Sequence, residues 1–167
     1  MKLRQLQDAD APLMLEWMHD PSVVSCLFTN FAEKTLSDCQ RFIAYSKTCT
    51  DDLHLAIADD RDEYMGTVSL KHIDRIHSTA EFAITVRACA MGKGYSRFGM
   101  TEILKHALQE LKLDAVYWCV DRINQRAVRF YDKHGYLRTD RVPEHILEQY
   151  PPADRANYIW YIVTEAL

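Results

Sequence analysis

The spacing of apolar positions changes several times along the chain, and each change marks an element. Leu13, Met14 and Trp17 share one side of a segment over about residues 10–19, which predicts a first helix capped by Asp8 or Asp10. Pro12 is tolerated in its first turn, and Pro21 ends it. Thr35 with Asp38 three residues on is a capping-box variant, and Leu36, Cys39, Phe42 and Ile43 follow at helical spacing, predicting a second helix over about 35–48. The period then shortens. Leu53–Ala58 and Met65–Lys71 read as strands around the polar turn Asp59–Glu63, and Ala80–Val86 alternates as a third strand. One face of that strand is Glu81, Ala83 and Thr85, the other Phe82, Ile84 and Val86.

After the loop Arg87–Lys93, the residues Met100, Ile103, Leu104, Ala107, Leu108 and Leu111 keep three-four spacing, predicting a long helix with one buried face. Ala115–Val120 is nearly all apolar and is expected to be a central strand. A helix over about 124–134 follows, stopped by Gly135, and 136–140 and 157–164 are the closing strands. Two helices, an antiparallel meander, a strand–helix–strand–helix unit and closing strands make a mixed α/β domain, a single one over residues 1–167.

Composition narrows the classes of function. A net charge of −4, with lysines and arginines spread along the chain, argues against nucleic acid as a partner. The opening residues carry no apolar run and no stretch approaches a membrane span, so a cytoplasmic protein without a membrane partner is expected. The five cysteines never stand in Cys-x-x-Cys spacing, so neither a zinc site nor a disulfide framework is expected, and no metal.

The segment Met91-Gly92-Lys93-Gly94-Tyr95-Ser96 lies where a strand gives way to a helix. Helix N-termini leave backbone N–H groups without partners, and glycines let the chain take positive φ and approach a ligand closely. Such a junction can cradle a pyrophosphate, although two glycines also make an ordinary tight turn. No G-x-x-x-x-G-K-[ST] string and no G-x-G-x-x-G after the first strand is present, which leaves coenzyme A as the third scheme.

Asn124-Gln125-Arg126-Ala127-Val128-Arg129-Phe130-Tyr131-Asp132-Lys133-His134-Gly135-Tyr136 resembles the signature N-x-x-A-x-x-x-Y-x-x-x-G-F/Y of the GNAT superfamily of N-acetyltransferases. The glycine segment resembles that superfamily's Q/R-x-x-G-x-G/A motif, with Met91 where Gln or Arg is usual and Ser96 where Gly or Ala is usual. Ala80-Glu81-Phe82-Ala83-Ile84 is similar to the branch containing ribosomal-protein and spermidine acetyltransferases. The resemblance covers nearly the whole chain. It implies a twisted, mostly antiparallel sheet flanked by helices and splayed between strands 80–86 and 115–120, with acetyl-CoA as co-substrate and direct transfer to an amine.

Residue by residue, it implies a cofactor cradle of main-chain amides over Met91, Gly92, Lys93, Gly94, Tyr95 and Ser96, and a backbone donor to the thioester carbonyl near Ile84–Val86. Asn124 either caps its helix or contacts the pantetheine arm. Arg129, with Arg126 and Lys133, either meets the adenosine 3′-phosphate or forms a solvated helix face. Tyr131 is the expected general acid, because a phenol of pKa about 10 holds its proton at neutral pH; packing in the core is its other reading. A protonated amine must lose a proton before it can attack. Glu81 is the candidate base, with ordered water as the alternative and His72 and Asp74 as weaker candidates. A route through Cys89 or Cys119 is not expected, since nothing adjacent activates either thiol.

The acceptor is a small-molecule amine (an amino sugar or a polyamine among them) or a protein N-terminus. Trp17, His19, Phe28, Phe31, Glu16 and Asp20 suit a cationic group, or else belong to the core. A monomer and a homodimer are both open. The alternative function is a non-catalytic module that binds or senses acyl-CoA.

Overall fold

The computed structural model describes residues 1–164. Seven strands form one sheet: β1 (Lys2–Gln5), β2 (Leu53–Ala58), β3 (Tyr64–Asp74), β4 (Thr79–Val86), β5 (Ala115–Asp121), β6 (Leu137–Thr139) and β7 (Tyr158–Val163). Their spatial order is β1-β2-β3-β4-β5-β7-β6. All neighbours are antiparallel except β4 and β5, so the sheet is mixed and mostly antiparallel, as expected.

The helices are α1 (Ala11–Met18), α2 (Pro21–Val24), α3 (Leu36–Ser46), α4 (Tyr95–Lys105, running on as a π turn His106–Glu110), α5 (Gln125–Lys133) and α6 (Glu144–Leu147). None is long and apolar enough to cross a membrane. The alternation of β4 sorts its side chains as the pattern implied. Phe82 and Val86 join Met100, Ile103 and Leu104 of α4 in one core cluster. On the opposite face, α1 and α3 bury Met14, Trp17, Cys39 and Ile43 with Tyr64 of β3. A third cluster packs Ile146 of α6 onto Tyr117, Tyr158 and Trp160.

Local signals were followed closely where a side chain satisfies the backbone directly. Thr35 caps α3, its backbone N–H donating to Asp38 at 2.7 Å while Asp38 N donates to Thr35 Oγ1 at 3.3 Å. Gly135 follows α5 at φ +77°. Elsewhere tertiary contacts prevailed. β1 is a four-residue edge strand with too few positions to show a period. Pro21 opens α2 rather than only closing α1, because Asp20 accepts from Ser22 N at 2.8 Å and caps a new turn.

Asp10 precedes α1 but does not cap it. Its carboxylate takes a two-pronged pair from Arg4, both bonds 2.8 Å, and a bond from Gln7 N. Asp10 is 3 % exposed, so the pair ties β1 to the start of α1 from inside the protein. Removing only the cation would leave a buried carboxylate short of its partner. Arg4→Met is therefore expected to lower unfolding free energy by about 3–5 kcal/mol in urea titrations, and adding Asp10→Leu should recover most of it.

Candidate active site

β4 and β5 share three residue pairs, Thr79–Ala115, Ala80–Val116 and Glu81–Tyr117, and then separate. Their outer edges stay paired: β4 with β3 as far as Val86–Gly66, and β5 with β7 as far as Asp121–Tyr158. The splay expected between these strands is present. Along Phe82–Val86, alternate residues turn their amides and carbonyls away from β3 and into the gap. Backbone groups withdrawn from water need a partner, so the gap is built to accept a ligand with amide-like groups.

A cavity of about 250 Å³ fills the gap, with Phe82–Thr85 on one side, Trp118–Asp121 on the other, and Asn124, Tyr131 and Tyr150 reaching in. It continues into a cavity of about 330 Å³ that shares Ile84, Thr85, Asn124, Ala127 and Tyr131 and adds Val86, Met91, Gly92, Ser96 and Arg126. The glycine segment and the second motif, remote in sequence, thus line one continuous space.

Gly92 stands at φ +73° and Gly94 at φ +89°, a backbone region that side chains strain. A Cβ would have room at both: nothing lies within 4 Å at Gly92, and at Gly94 only the Met1 side chain at 3.9 Å. Conformation, not space, requires glycine here. Gly94 precedes α4, whose first bond runs from Phe98 N to Gly94 O at 2.9 Å, so the amides before it have no helical partner.

Not every anticipated residue faces the space. Met91, Gly92 and Ser96 line it, while Gly94 acts through the turn and Lys93 and Tyr95 lie outside the lining. Arg129 is exposed on α5 and does not line the cavity; Arg126, one turn earlier, does. Helical rotation decides this, since the face of α5 carrying Ala127 and Tyr131 points inward. Arg126 Nη1 donates to the Met91 thioether at 2.8 Å, which places a guanidinium at the loop.

Asn124 caps α5, its Oδ1 accepting from Ala127 N at 3.1 Å, and the residue also lines both cavities. Tyr131 packs against the stacked pair Trp118 and Tyr161, with ring centroids at 5.4 and 5.0 Å, and also lines both. Burial pushes its phenol above the ordinary tyrosine range, so it keeps its proton at neutral pH. Cys119, in the same gap, is pushed up to about 12 by burial and holds no thiolate at neutral pH.

Glu81 is the last residue of β4 paired with β5 and is 2 % exposed. It lines an adjoining cavity of about 590 Å³ with Phe28, Lys71, His72, Asp121, Tyr150 and Asp154. Tyr150 lines this cavity and the gap, so it stands between Glu81 and Tyr131. Its hydroxyl donates to Glu81 Oε1 at 2.5 Å. His72 Nδ1 approaches Oε2 to 3.1 Å but out of line, so that oxygen accepts no hydrogen bond. Tyr150 escaped the sequence reading. It belongs to the 141–157 stretch, whose Tyr-Pro-Pro marks only a turn, and it is positioned by edge-to-face packing on Tyr158 and Trp160.

The residues considered for the acceptor divide. Phe28 and Phe31 line the cavities, and Trp17 lines a further one. Glu16 is bound to Arg87 at 3.0 and 3.1 Å, His19 contacts Lys34 O at 2.9 Å, and Asp20 caps α2. These three support structure instead of facing a ligand. Asp74 turns away as well, bonded to His77 at 2.6 Å. Asp74, His77 and His145 bring nitrogen and oxygen atoms within 4.8 Å of one another, but the imidazoles stack at 4.4 Å and 16°, so their in-plane lone pairs do not converge on one point.

A splayed β4–β5 pair with a glycine turn ahead of the following helix is the arrangement that the sequence resemblance implied. The family model described as Acetyltransferase (GNAT) domain matches residues 1–137, and the chain belongs to this family. Its relatives include the spermidine N(1)-acetyltransferases of Vibrio cholerae, 29% identical over 94 residues, and of Escherichia coli, 28% identical over 130. These matches cover 56% and 77% of this chain but only 52% and 63% of those proteins, so the chain aligns with little more than half of their length. The fold is shared with the crystal structure of the Vibrio cholerae spermidine N-acetyltransferase in complex with CoA and spermine, at a TM-score of 0.79 and 20% identity, covering 97% of this chain and 94% of that one.

Gly94→Val tests the turn. A β-branched side chain at that φ costs roughly 1–3 kcal/mol, which a folded domain should survive. Acetyl-CoA affinity measured by calorimetry is expected to fall at least tenfold; an unchanged affinity would remove the turn from the site.

Proposed function

We propose that this protein transfers an acetyl group from acetyl-CoA directly to a primary amine. The observation that carries the reading is the placement of Tyr131: a buried, protonated phenol inside the β4–β5 gap, one chamber away from the buried carboxylate of Glu81. A module that only senses acyl-CoA needs the gap and the glycine turn but no proton donor at the gap.

The residues present fit the co-substrate. The amides at the start of α4 and the Arg126 guanidinium suit its phosphates, and the unpaired edges along Phe82–Val86 suit the amides of its pantetheine arm. When bound, it supplies a thioester whose acyl group is already activated. The chain's own residues handle the protons. A free alkyl amine of pKa about 10.4 is protonated at neutral pH, and Glu81, held by Tyr150 through Oε1, is the carboxylate that accepts its proton. An amide on the Ile84–Val86 segment polarises the acyl carbonyl, in the manner of an oxyanion hole. Tyr131 gives its proton to the departing sulfur, and the proton that the nitrogen sheds as the amide forms restores the phenol. Cys119 takes no part as a nucleophile, because burial keeps it a thiol.

Two measurements test this. Acetyl-CoA at about 100 times its dissociation constant should stabilise the protein by roughly 2.7 kcal/mol, whereas ATP and NADH should have no effect. Tyr131→Phe should lower kcat in a thiol-release assay by about 10²–10⁴-fold with acetyl-CoA affinity unchanged. Full activity of that variant would remove Tyr131 as the acid.

A further inference from the structure

On the sheet face that carries Ala83 and Thr85, α1 and α3 roof a separate chamber of about 410 Å³. Met14, Trp17, Met18, Phe31 and Phe42 wall it. It joins the β4–β5 gap through Thr29, Phe31, Lys71, Ala83, Ile84 and Thr85, which line both spaces.

Its polar groups answer one another except at His54 Nε2, which is buried without a hydrogen-bond partner 3.5 Å from Asp52 Oδ2. Ser69 Oγ lies 2.7 Å from His54 Nδ1, and the Thr67 and Tyr64 hydroxyls lie 2.7 Å apart. The Trp17 indole donates to the Tyr64 hydroxyl at 3.0 Å. Burial pushes His54 below the usual histidine range, so it is neutral at neutral pH. Asp38, the carboxylate of the lining, is held by Thr35 and Arg41. Lys71 stands where the chamber, the gap and the acidic cavity meet, and it forms no ion pair among the described residues. A cation inside the chamber would therefore meet a positive charge at its mouth and no unengaged carboxylate. The carboxylates of Glu81, Asp121 and Asp154 lie in the other cavity.

We propose that this chamber is a subsite for an uncharged apolar body, alkyl or aryl, attached to the acceptor amine, with the amino group at the gap and the body beneath α1 and α3. The acceptor class is then a primary alkyl- or arylalkylamine rather than a polycation. The inference rests on the acetyl-transfer reading above and adds the substrate class to it.

A homologous series tests it on the unaltered protein: propyl-, butyl-, pentyl- and hexylamine, with phenethylamine and spermidine, in the thiol-release assay. Each methylene entering the chamber should raise kcat/KM about fourfold, or about 60-fold from propyl to hexyl. Phenethylamine should exceed spermidine at least tenfold. Phe42→Asp, which adds a charge to the wall, should flatten the series, with the acetyl-CoA thermal shift reporting that the variant is folded. A flat series, or a preference for spermidine, in the unaltered protein overturns the subsite. If no amine is acetylated, the acetyl-transfer reading fails separately. The same amines are then titrated onto the CoA-saturated protein by thermal shift: hexylamine stabilising more than propylamine supports the chamber, and equal effects overturn it.

Discussion

The constraint on which the site depends is the brevity of the contact between β4 and β5. Three residue pairs hold the strands together at one end, and beyond Glu81 and Tyr117 each strand is held only by its outer neighbour. The opening cannot close by a small adjustment, because β3 and β7 fix the far edges and aromatic side chains occupy the space between. Phe82 and Trp118 meet edge to face at 5.5 Å just past the last shared pair, and Trp118 in turn packs on Tyr131, Tyr136 and Tyr161. The sheet leaves backbone hydrogen-bonding capacity unused along the gap, and that is the capacity an extended ligand can take up.

The carboxylates follow from the same geometry. Glu81 sits at the apex, where β4 is still paired and therefore rigid, and Tyr150 fixes one of its oxygens. Other acids near the site are committed elsewhere: Glu16 and Glu63 to Arg87, and Asp10 to Arg4. Arg87 is 7 % exposed and also donates to Tyr64 O, so it clamps the end of β4 to α1 and β3. What remains for a ligand is an acidic cavity on one side of Lys71 and an apolar chamber on the other. Two neighbouring spaces of opposite character thus meet at the β4–β5 gap.

Much of this was legible from residue pattern. The alternation over Ala80–Val86 assigned both faces of β4, the three-four spacing after the glycine turn placed α4, and Thr35, Asn124 and Gly135 marked their helix ends. The elements missed are short: β1, α2 and α6 have four residues each, fewer than a period needs in order to show. Among the residues lining the gap and its continuation, Gly92, Asn124 and Tyr131 are marked by local chemistry or motif spacing. Tyr150 is not, since its position comes from packing against Tyr158 and Trp160 and its partner Glu81 is remote in sequence.

The sequence by itself therefore determined the order and kind of the main elements, the positive-φ turn ahead of α4 and the phenol on α5, because each is governed by contacts within a few residues. Tertiary structure alone decided which charges face a ligand. Glu16, His19 and Asp20 look like ligand groups in the sequence, but side-chain and backbone contacts at their actual places in the fold engage them; Arg126 lines the cavity and Arg129 does not, because the rotation of α5 is set by the core beneath it. Long-range pairing is a property of distance in space, and it was only when the sheet brought β3, β4 and the stretch before β7 together that Glu81, His72 and Tyr150 became one group.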